Sequence, residues 1–384
     1  MSLDINKRAR QLAAGAGLLI LFAGCATTPV SKPRTDIFFP PPPEAARLQY
    51  LTSFSSEQDL GGGPGKFASF VVGKAPPDKP IGKPYGVALR DGMLYVCDTG
   101  VQAIEILDLQ KKQFRYFTPA REASLRTPVN IAVDHDGTRY VADTGRGQVV
   151  IFAADDRYLG AIGEKVLRAA KAHSKAPPQT EAASVDAVDE MKPTDVAIAG
   201  DRLYVADMKN NRVRVYDKAT RKLLFSIPAD PAAADPQAKL YAPVNLAVDA
   251  QRRLYVTDIG AFRVQQYDPD GKFLRSFGRM GDSPGEFARP KGVAVDREGR
   301  VYVVDAAAQV VQIFDAEGKL LLFFGEPEGS PVGLNLPAKV VIDYDHVGLF
   351  RSYAAPGFQV EYLVIVTNQY GDRKVSVFGF GGKK

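Results

Sequence analysis

An all-β propeller of six blades is the fold the sequence predicts, on three observations. Six segments share one plan that opens on Pro and closes on Asp or Asn: Pro84 to Asp98, Pro128 to Asp143, Pro193 to Asp207, Pro243 to Asp258, Pro290 to Asp305, and a degenerate sixth from Pro337 to Asn368. From Pro to the closing residue the first five run 14, 15, 14, 15 and 15 positions, and the sixth runs 31. Each unit also reads as four short strands, and four strands per repeat of roughly 40–50 residues is the arithmetic of a propeller blade. One four-stranded sheet cannot bury both of its faces alone, so the sheets must stack.

Composition narrows the chemistry. The chain has 384 residues, 45% hydrophobic and 24% charged, which is ordinary for a folded protein and excludes disorder as a whole. A net charge of +5 from 49 Lys+Arg and 44 Asp+Glu is too weak and too mixed to point to nucleic acid. Three His and two Cys leave no material for a multi-His metal cage, a Cys-rich zinc site or a disulfide framework.

The first segment, residues 1–24, reads as a lipoprotein signal peptide. Lys7, Arg8 and Arg10 form a positive start, and the apolar stretch from Leu12 to Phe22 is too short to span a bilayer. Ala23 and Gly24 then precede Cys25, as in a bacterial lipobox, so Cys25 is the expected site of lipidation. Ala26 follows, where an Asp would retain the protein in the inner membrane; the expected location is therefore the cell envelope, on the outer membrane rather than the inner. Residues 25–47, with Pro40 to Pro43 in a row, read as a semi-rigid tether that holds the folded part off the membrane.

The propeller is expected over residues 48–384. In each unit a Val-Ala-Val-like run suits a strand buried on both faces, and a turn such as Asp268 to Gly271 or Asp296 to Gly299 uses Gly for its positive φ. Leu-Tyr-Val-x-Asp is the second strand. The third alternates, as in Arg212 to Tyr216, and the fourth is typified by Phe273 to Phe277. The sixth unit has a third strand, Lys374 to Phe378, and no fourth after it. Tyr50 to Phe54 matches the fourth-strand pattern and is predicted to complete that blade from the other end of the chain, leaving no open edge. Gly62 to Phe67 resembles the linker Ser283 to Phe287. Two stretches stand outside the plan: 165–190, read as a surface loop with a short helix, and 344–361, read as an inserted strand pair.

These motifs resemble the NHL-repeat family of six-bladed propellers over about residues 79–384: Pro290 to Asp296 reads Pro-x-Gly-Val-Ala-Val-Asp, Tyr-Val-x-Asp recurs, and Gly281 to Phe287 reads as a blade linker. Trp is absent, which makes the WD40 pattern a poorer match. With the lipobox, the resemblance extends to exported bacterial NHL lipoproteins, and it implies a role accessory to a membrane or cytochrome complex.

No GxSxG, HExxH or P-loop is present. Cys97 sits in a predicted second strand and reads as a buried apolar residue. His135, His173 and His346 fall in a turn and in the two inserts, off the inner strands where propeller lyases hold zinc. The repeated Asp98, Asp143, Asp207, Asp258 and Asp305 read as structural, each binding nearby backbone N–H groups. Less regular are Asn130, Asp195, Asn245 and Lys339, two positions after the Pro, which should lie at the mouth of the central channel. Asn130, Asp195 and Asn245 could hold Ca²⁺ there, as in lactonase-type propellers, although one carboxylate is few for a hard divalent ion. The loops between second and third strands open on the same face and carry Arg146, Lys209, Arg212 and Arg263. These seven residues form the candidate binding face. The expected function is a non-catalytic scaffold that binds a protein or ligand in the envelope, with no cofactor and no nucleic acid. The alternative is a lactonase-like hydrolase using a channel cation.

Overall fold

Every Pro of the repeat opens a strand and every closing Asp ends the next one, because the two pair across the first hairpin of each sheet. The computed structural model describes residues 36–61, 78–163, 190–229, 235–325 and 332–383. The signal segment 1–24, Cys25, the tether up to residue 35, Gly62 to Phe67, nearly all of the 165–190 insert and His173 lie outside the described residues. Among the described residues no helix is long and apolar enough to cross a membrane.

The chain starts with β1 (Phe38–Phe39) and β2 (Leu48–Phe54). Blade one is β3 (Pro84–Arg90), β4 (Met93–Asp98), β5 (Ala103–Asp108) and β6 (Gln113–Phe117). Blade two is β7 (Pro128–Val133), β8 (Arg139–Asp143), β9 (Gln148–Phe152) and β10 (Tyr158–Ile162). Blade three is β11 (Pro193–Ala199), β12 (Arg202–Asp207), β13 (Arg212–Asp217) and β14 (Leu223–Ile227). Blade four is β15 (Pro243–Val248), β16 (Leu254–Asp258), β17 (Arg263–Tyr267) and β18 (Phe273–Phe277). Blade five is β19 (Pro290–Val295), β20 (Val301–Asp305), β21 (Val310–Phe314) and β22 (Leu320–Phe324). Blade six takes β23 (Pro337–Asp343), β24 (Phe358–Asn368) and β25 (Val375–Lys383) from the end of the chain, and β2 and β1 from its start. All neighbouring strands within a sheet are antiparallel; β2 pairs with β25 from Leu48 opposite Phe380 to Phe54 opposite Val375. The innermost strands β3, β7, β11, β15, β19 and β23 adjoin in that order, and β23 adjoins β3, so the ring closes as predicted.

Apolar burial is divided among the blade interfaces. One cluster lies between each neighbouring pair, for example Ile104, Ile106, Ile131 and Val150 between blades one and two. Strand β2 serves two of them. Leu48 packs with Phe324 and Phe378 toward blade five, and Leu51 and Phe54 pack with Val96 and Ile365 toward blade one. A bulge between Tyr50 and Thr52 shifts the alternation by one residue, so Phe54 joins Leu51 on the blade-one side and not Leu48 on the other. The turn glycines behave as expected: Gly271 has φ 85 and Gly299 φ 83.

Three expectations are corrected. The tether does not run to residue 47. Phe38–Phe39 adds a fifth strand to blade six, and Phe39 is buried against Phe324 and Phe378 at centroid distances of 6.1 and 6.3 Å. The 344–361 stretch is not an inserted strand pair. It is a short helix (Val347–Phe350), a single 3-10 turn (Arg351–Tyr353) and a lengthening of β24 to 11 residues. Phe350 caps the blade six–blade one core. Finally, the Val-Ala-Val runs are fully buried only at their start; in β15 the later residues Ala247 and Val248 line the channel cavity.

Candidate functional site at the propeller axis

The repeated aspartates hold the loops of one face. Asp98 accepts the N–H groups of Gly82 (2.7 Å), Lys83 (2.8 Å), Gly100 (2.7 Å) and Val101 (3.0 Å). Asp143 does the same for Arg126, Thr127 and Arg146, and Asp305 for Ala288, Arg289, Ala307 and Ala308. Asp258 accepts Tyr241 and Ala242. Asp207 accepts Lys192 N–H and pairs with Asn210 and Arg214. In blade six Asn368 takes the place, accepting Asn335 N–H at 3.2 Å. Each carboxylate thus joins the entry to one innermost strand with the loop after its neighbour.

Two residues after each Pro, the six innermost strands bring Gly86, Asn130, Asp195, Asn245, Gly292 and Lys339 to one level of the channel. The two glycines are required by crowding. A Cβ on Gly86 would lie 2.5 Å from Asn130 Cα, and one on Gly292 would lie 2.8 Å from Lys339 Cα. Asn130 is fully buried and donates to Thr194 O at 2.7 Å, which ties blade two to blade three. Asp195, fully buried, accepts Leu246 N–H at 2.8 Å from blade four. Its Oδ2 also receives the Lys339 ammonium from blade six, three blades away and so on the far side of the ring. Burial pushes the Asp195 carboxyl above its ordinary range, and Lys339 opposes that shift.

This pair decides the cation question on chemical grounds. Asp195 is the one carboxylate at this level, and the ammonium already stands on it. Asn130 Oδ1 and both amide atoms of Asn245 are buried without a hydrogen-bond partner among the described residues, so two neutral oxygens remain as the donors a cation would find. Placing Ca²⁺ beside Lys339 would put like charges together in a poorly solvated site.

On one side of this level the channel widens into a cavity of about 280 Å³ walled by apolar side chains such as Val87, Ile131, Val248, Val295 and Val341, with Lys339 at its floor and Asp343 at its rim. At that rim His346 Nδ1 donates to Asp343 at 2.8 Å, and its Nε2 accepts Gly92 N–H at 2.9 Å. Its lone pair is committed to backbone, which leaves no free base for chemistry. His135 is exposed in its turn, beside Asp134. Cys97 is fully buried, and burial pushes its thiol well above the ordinary range. Among the described residues no three His, Cys, Asp or Glu side chains are grouped to hold a metal.

The proposed binding face separates into two kinds of residue. Asn130, Asp195 and Asn245 meet at the axis, as expected of the channel. Arg146 does not face solvent: it is 5% exposed, and its guanidinium donates to Glu122 O (2.7 Å), Ser124 O (2.8 Å) and Gln148 Oε1 (2.8 Å). Arg212 lies beside Asp207, and Arg263 donates to Lys239 O while standing 3.7 Å from Asp258. Those arginines are loop braces. Lys209 is half exposed, with Glu190 at 2.5 Å, and remains available at the surface.

Sequence reading missed the level above the axis pair, one residue after each Pro. It carries Tyr85, Val129, Thr194, Val244, Lys291 and Ala338. Lys291 is 4% exposed, and its ammonium lies 4.9 Å from the centre of the Tyr85 ring, two blades away. Burial, then the charges of Arg289 and Lys83, bring its pKa down to about 8. The signal was a charged residue where four of the other five blades place a small or apolar one.

A family model described as a 6-bladed beta-propeller matches residues 242–323, and an NHL repeat model matches residues 191–216. No curated protein sequence matches. Among solved structures, a gluconolactonase from Xanthomonas campestris is similar at 14% identity, covering 91% of this chain and 99% of its own, with a TM-score of 0.53. A structural genomics protein of unknown function from Bacteroides thetaiotaomicron aligns at 15% identity over 88% of this chain and 76% of its own, with a TM-score of 0.54. A streptogramin B lyase aligns at 12% identity over 78% of this chain and 83% of its own, with a TM-score of 0.49. At these identities the likeness is one of fold.

Proposed function

Since the chain is a six-bladed β-propeller of the NHL-repeat kind, we propose that it is a non-catalytic binding scaffold in the bacterial envelope, anchored by lipid on Cys25 on the outer membrane and receiving an envelope protein on the face where the innermost strands begin. The observation that carries this reading is the Lys339–Asp195 pair, which places an ammonium where a propeller hydrolase would need its cation. The same face has its loops pinned by carboxylates, so it offers a rigid surface for recognition.

Capture from detergent-solubilised membranes tests the scaffold reading. Lys192 and Lys209 are exposed on the Pro-end face, so Lys192→Glu with Lys209→Glu should leave the circular dichroism spectrum unchanged and reduce partner recovery severalfold, more so at low salt. Equal recovery of the same proteins would sink the assignment of this face. The hydrolase alternative is addressed separately. Millimolar calcium should shift the melting temperature by less than about 1 °C, because stabilisation by a ligand needs a site in the native state. A clear calcium-dependent rise would reopen the hydrolase reading.

A further inference from the structure

We propose that the channel mouth on the Pro-end face is an oxyanion-binding site, in which Lys291, Lys83 and Arg289 receive a carboxylate or phosphate beside the ring of Tyr85. This deepens the binding reading above, and rests on it, by naming the chemistry that the face accepts.

Four observations carry it. Lys291 is 4% exposed, and among the described residues its ammonium meets no carboxylate, only the face of Tyr85 at 4.9 Å. A buried lysine without a counter-charge is expensive to keep. The fold does not ask for it, since the equivalent positions hold Val129, Thr194, Val244 and Ala338, and a methionine would fill the space. Lys83 and Arg289 each stand one residue before the Pro of blades one and five, and both charges weigh on Lys291. Neither has an acidic partner among the described residues; the Lys83 ammonium lies 5.2 Å from the ring centre of Tyr370. Asp195, whose charge reaches Tyr85, is already held by Lys339.

The mouth therefore gathers three cations and two tyrosine rings, while the carboxylates beside them, Asp98 and Asp305, are spent on backbone N–H groups, those of Lys83 and Arg289 among them. An oxyanion supplies what is missing. The planar guanidinium of Arg289 offers paired donors that match a carboxylate or phosphate, and each ammonium offers a strong point charge. Tyr85 and Tyr370 would flank the group that carries the anion. Because Lys291 is nearly desolvated, its attraction for an anion is weakened less by water than that of a surface lysine.

The test titrates the full-length chain in detergent with inorganic phosphate and, separately, with citrate, read by calorimetry and by melting temperature. Binding of at least one probe is expected, weakening as sodium chloride is added. Phosphate alone would assign a phosphorylated source, citrate alone a carboxylated one, and both together the shared oxyanion chemistry. Lys291→Met should melt higher than the parent in the absence of probe and bind about tenfold more weakly or worse; Arg289→Gln should lose roughly threefold or more. A more stable variant with lost binding is the mark of a site, since a merely structural lysine would lower stability when removed. If neither probe binds at millimolar concentration, or if Lys291→Met keeps its affinity within about twofold, the proposal is wrong. Both measurements use purified protein and need no macromolecular partner. Loss of partner capture with oxyanion binding intact would sink only the scaffold reading.

Discussion

Deleting residues 36–54 should abolish cooperative unfolding of the whole propeller. The excised piece is a small fraction of the chain, yet β2 is the fourth strand of blade six and fills both cores beside it through Leu48, Leu51 and Phe54. Burying a large apolar side chain stabilises by about 1.5–3 kcal/mol. Three such residues thus account for roughly 5–9 kcal/mol, which is comparable with the entire net stability of an ordinary domain, about 5–15 kcal/mol. The deletion would also bare the edge of β25, a strand with Val375, Val377 and Phe378 fully buried, and an open apolar edge invites aggregation. A milder variant keeps the test readable if the deletion is insoluble. Leu48→Ala should cost about 2–5 kcal/mol through lost burial and a residual cavity. Thermal melts followed by circular dichroism measure both. A deletion variant that melts cooperatively within a degree or two of the parent would show that blade six closes without β2.

The second large effect concerns the repeated carboxylates. Asp305 is 1% exposed and accepts four backbone N–H groups, from Ala288, Arg289, Ala307 and Ala308, at 2.7–3.1 Å. Asp305→Ala leaves four part-buried donors without their common acceptor, and each donor left unsatisfied costs about 1–3 kcal/mol. Some will relax toward solvent, so a loss of roughly 3–5 kcal/mol is expected in denaturant titrations. Asp305→Asn keeps one acceptor oxygen in place and should cost about 1–2 kcal/mol. Equal effects from the two variants would mean that side-chain volume, and not acceptance of N–H groups, is what the fold uses here. The oxyanion site bears on the same residue, because Arg289 N–H is one of the four donors. Asp305→Ala should therefore also loosen Arg289, while the loss of a neighbouring negative charge acts on phosphate binding in the opposite sense.

Much of this was legible because the repeat is written in residues with fixed backbone meaning. Pro at the start and Asp at the end of each first hairpin gave the strand limits in all five regular blades, and the pattern shared by Tyr50 to Phe54 and Phe273 to Phe277 revealed the closure. What was hidden lacked a period. Phe38–Phe39 is a two-residue strand ahead of four prolines, and nothing in so short a piece distinguishes pairing from an extended linker. The 344–361 insert contains enough chain for two strands, and only its contact with Phe54 shows why a helical turn is preferred. Arg146 looked exposed because turns usually are; its burial follows from carbonyls of the preceding blade linker, Glu122 O and Ser124 O, which no local pattern announces. The Lys339–Asp195 pair was within reach of repeat arithmetic. Residues at equivalent positions in the third and sixth of six units must face each other across a closed ring, and opposite charges there will meet. Lys291 was signalled more faintly, as a charge where most blades carry a small or apolar residue.

The position of β1 also determines how the molecule would bear mechanical load. Tension applied to the chain at residue 36 would enter at the outer edge of blade six, through the two register pairs that join Phe38 and Phe39 to β2. Such an edge opens once Phe39 leaves its place against Phe324 and Phe378, and its loss leaves β2 paired with β25. Only then does force reach β2, whose pairing with β25 and two flanking cores would have to fail together. The first piece therefore acts as a fuse: its release lengthens the chain ahead of β2 by the residues between Phe38 and Leu48, while the proposed recognition face, carried on all six blades, keeps its shape.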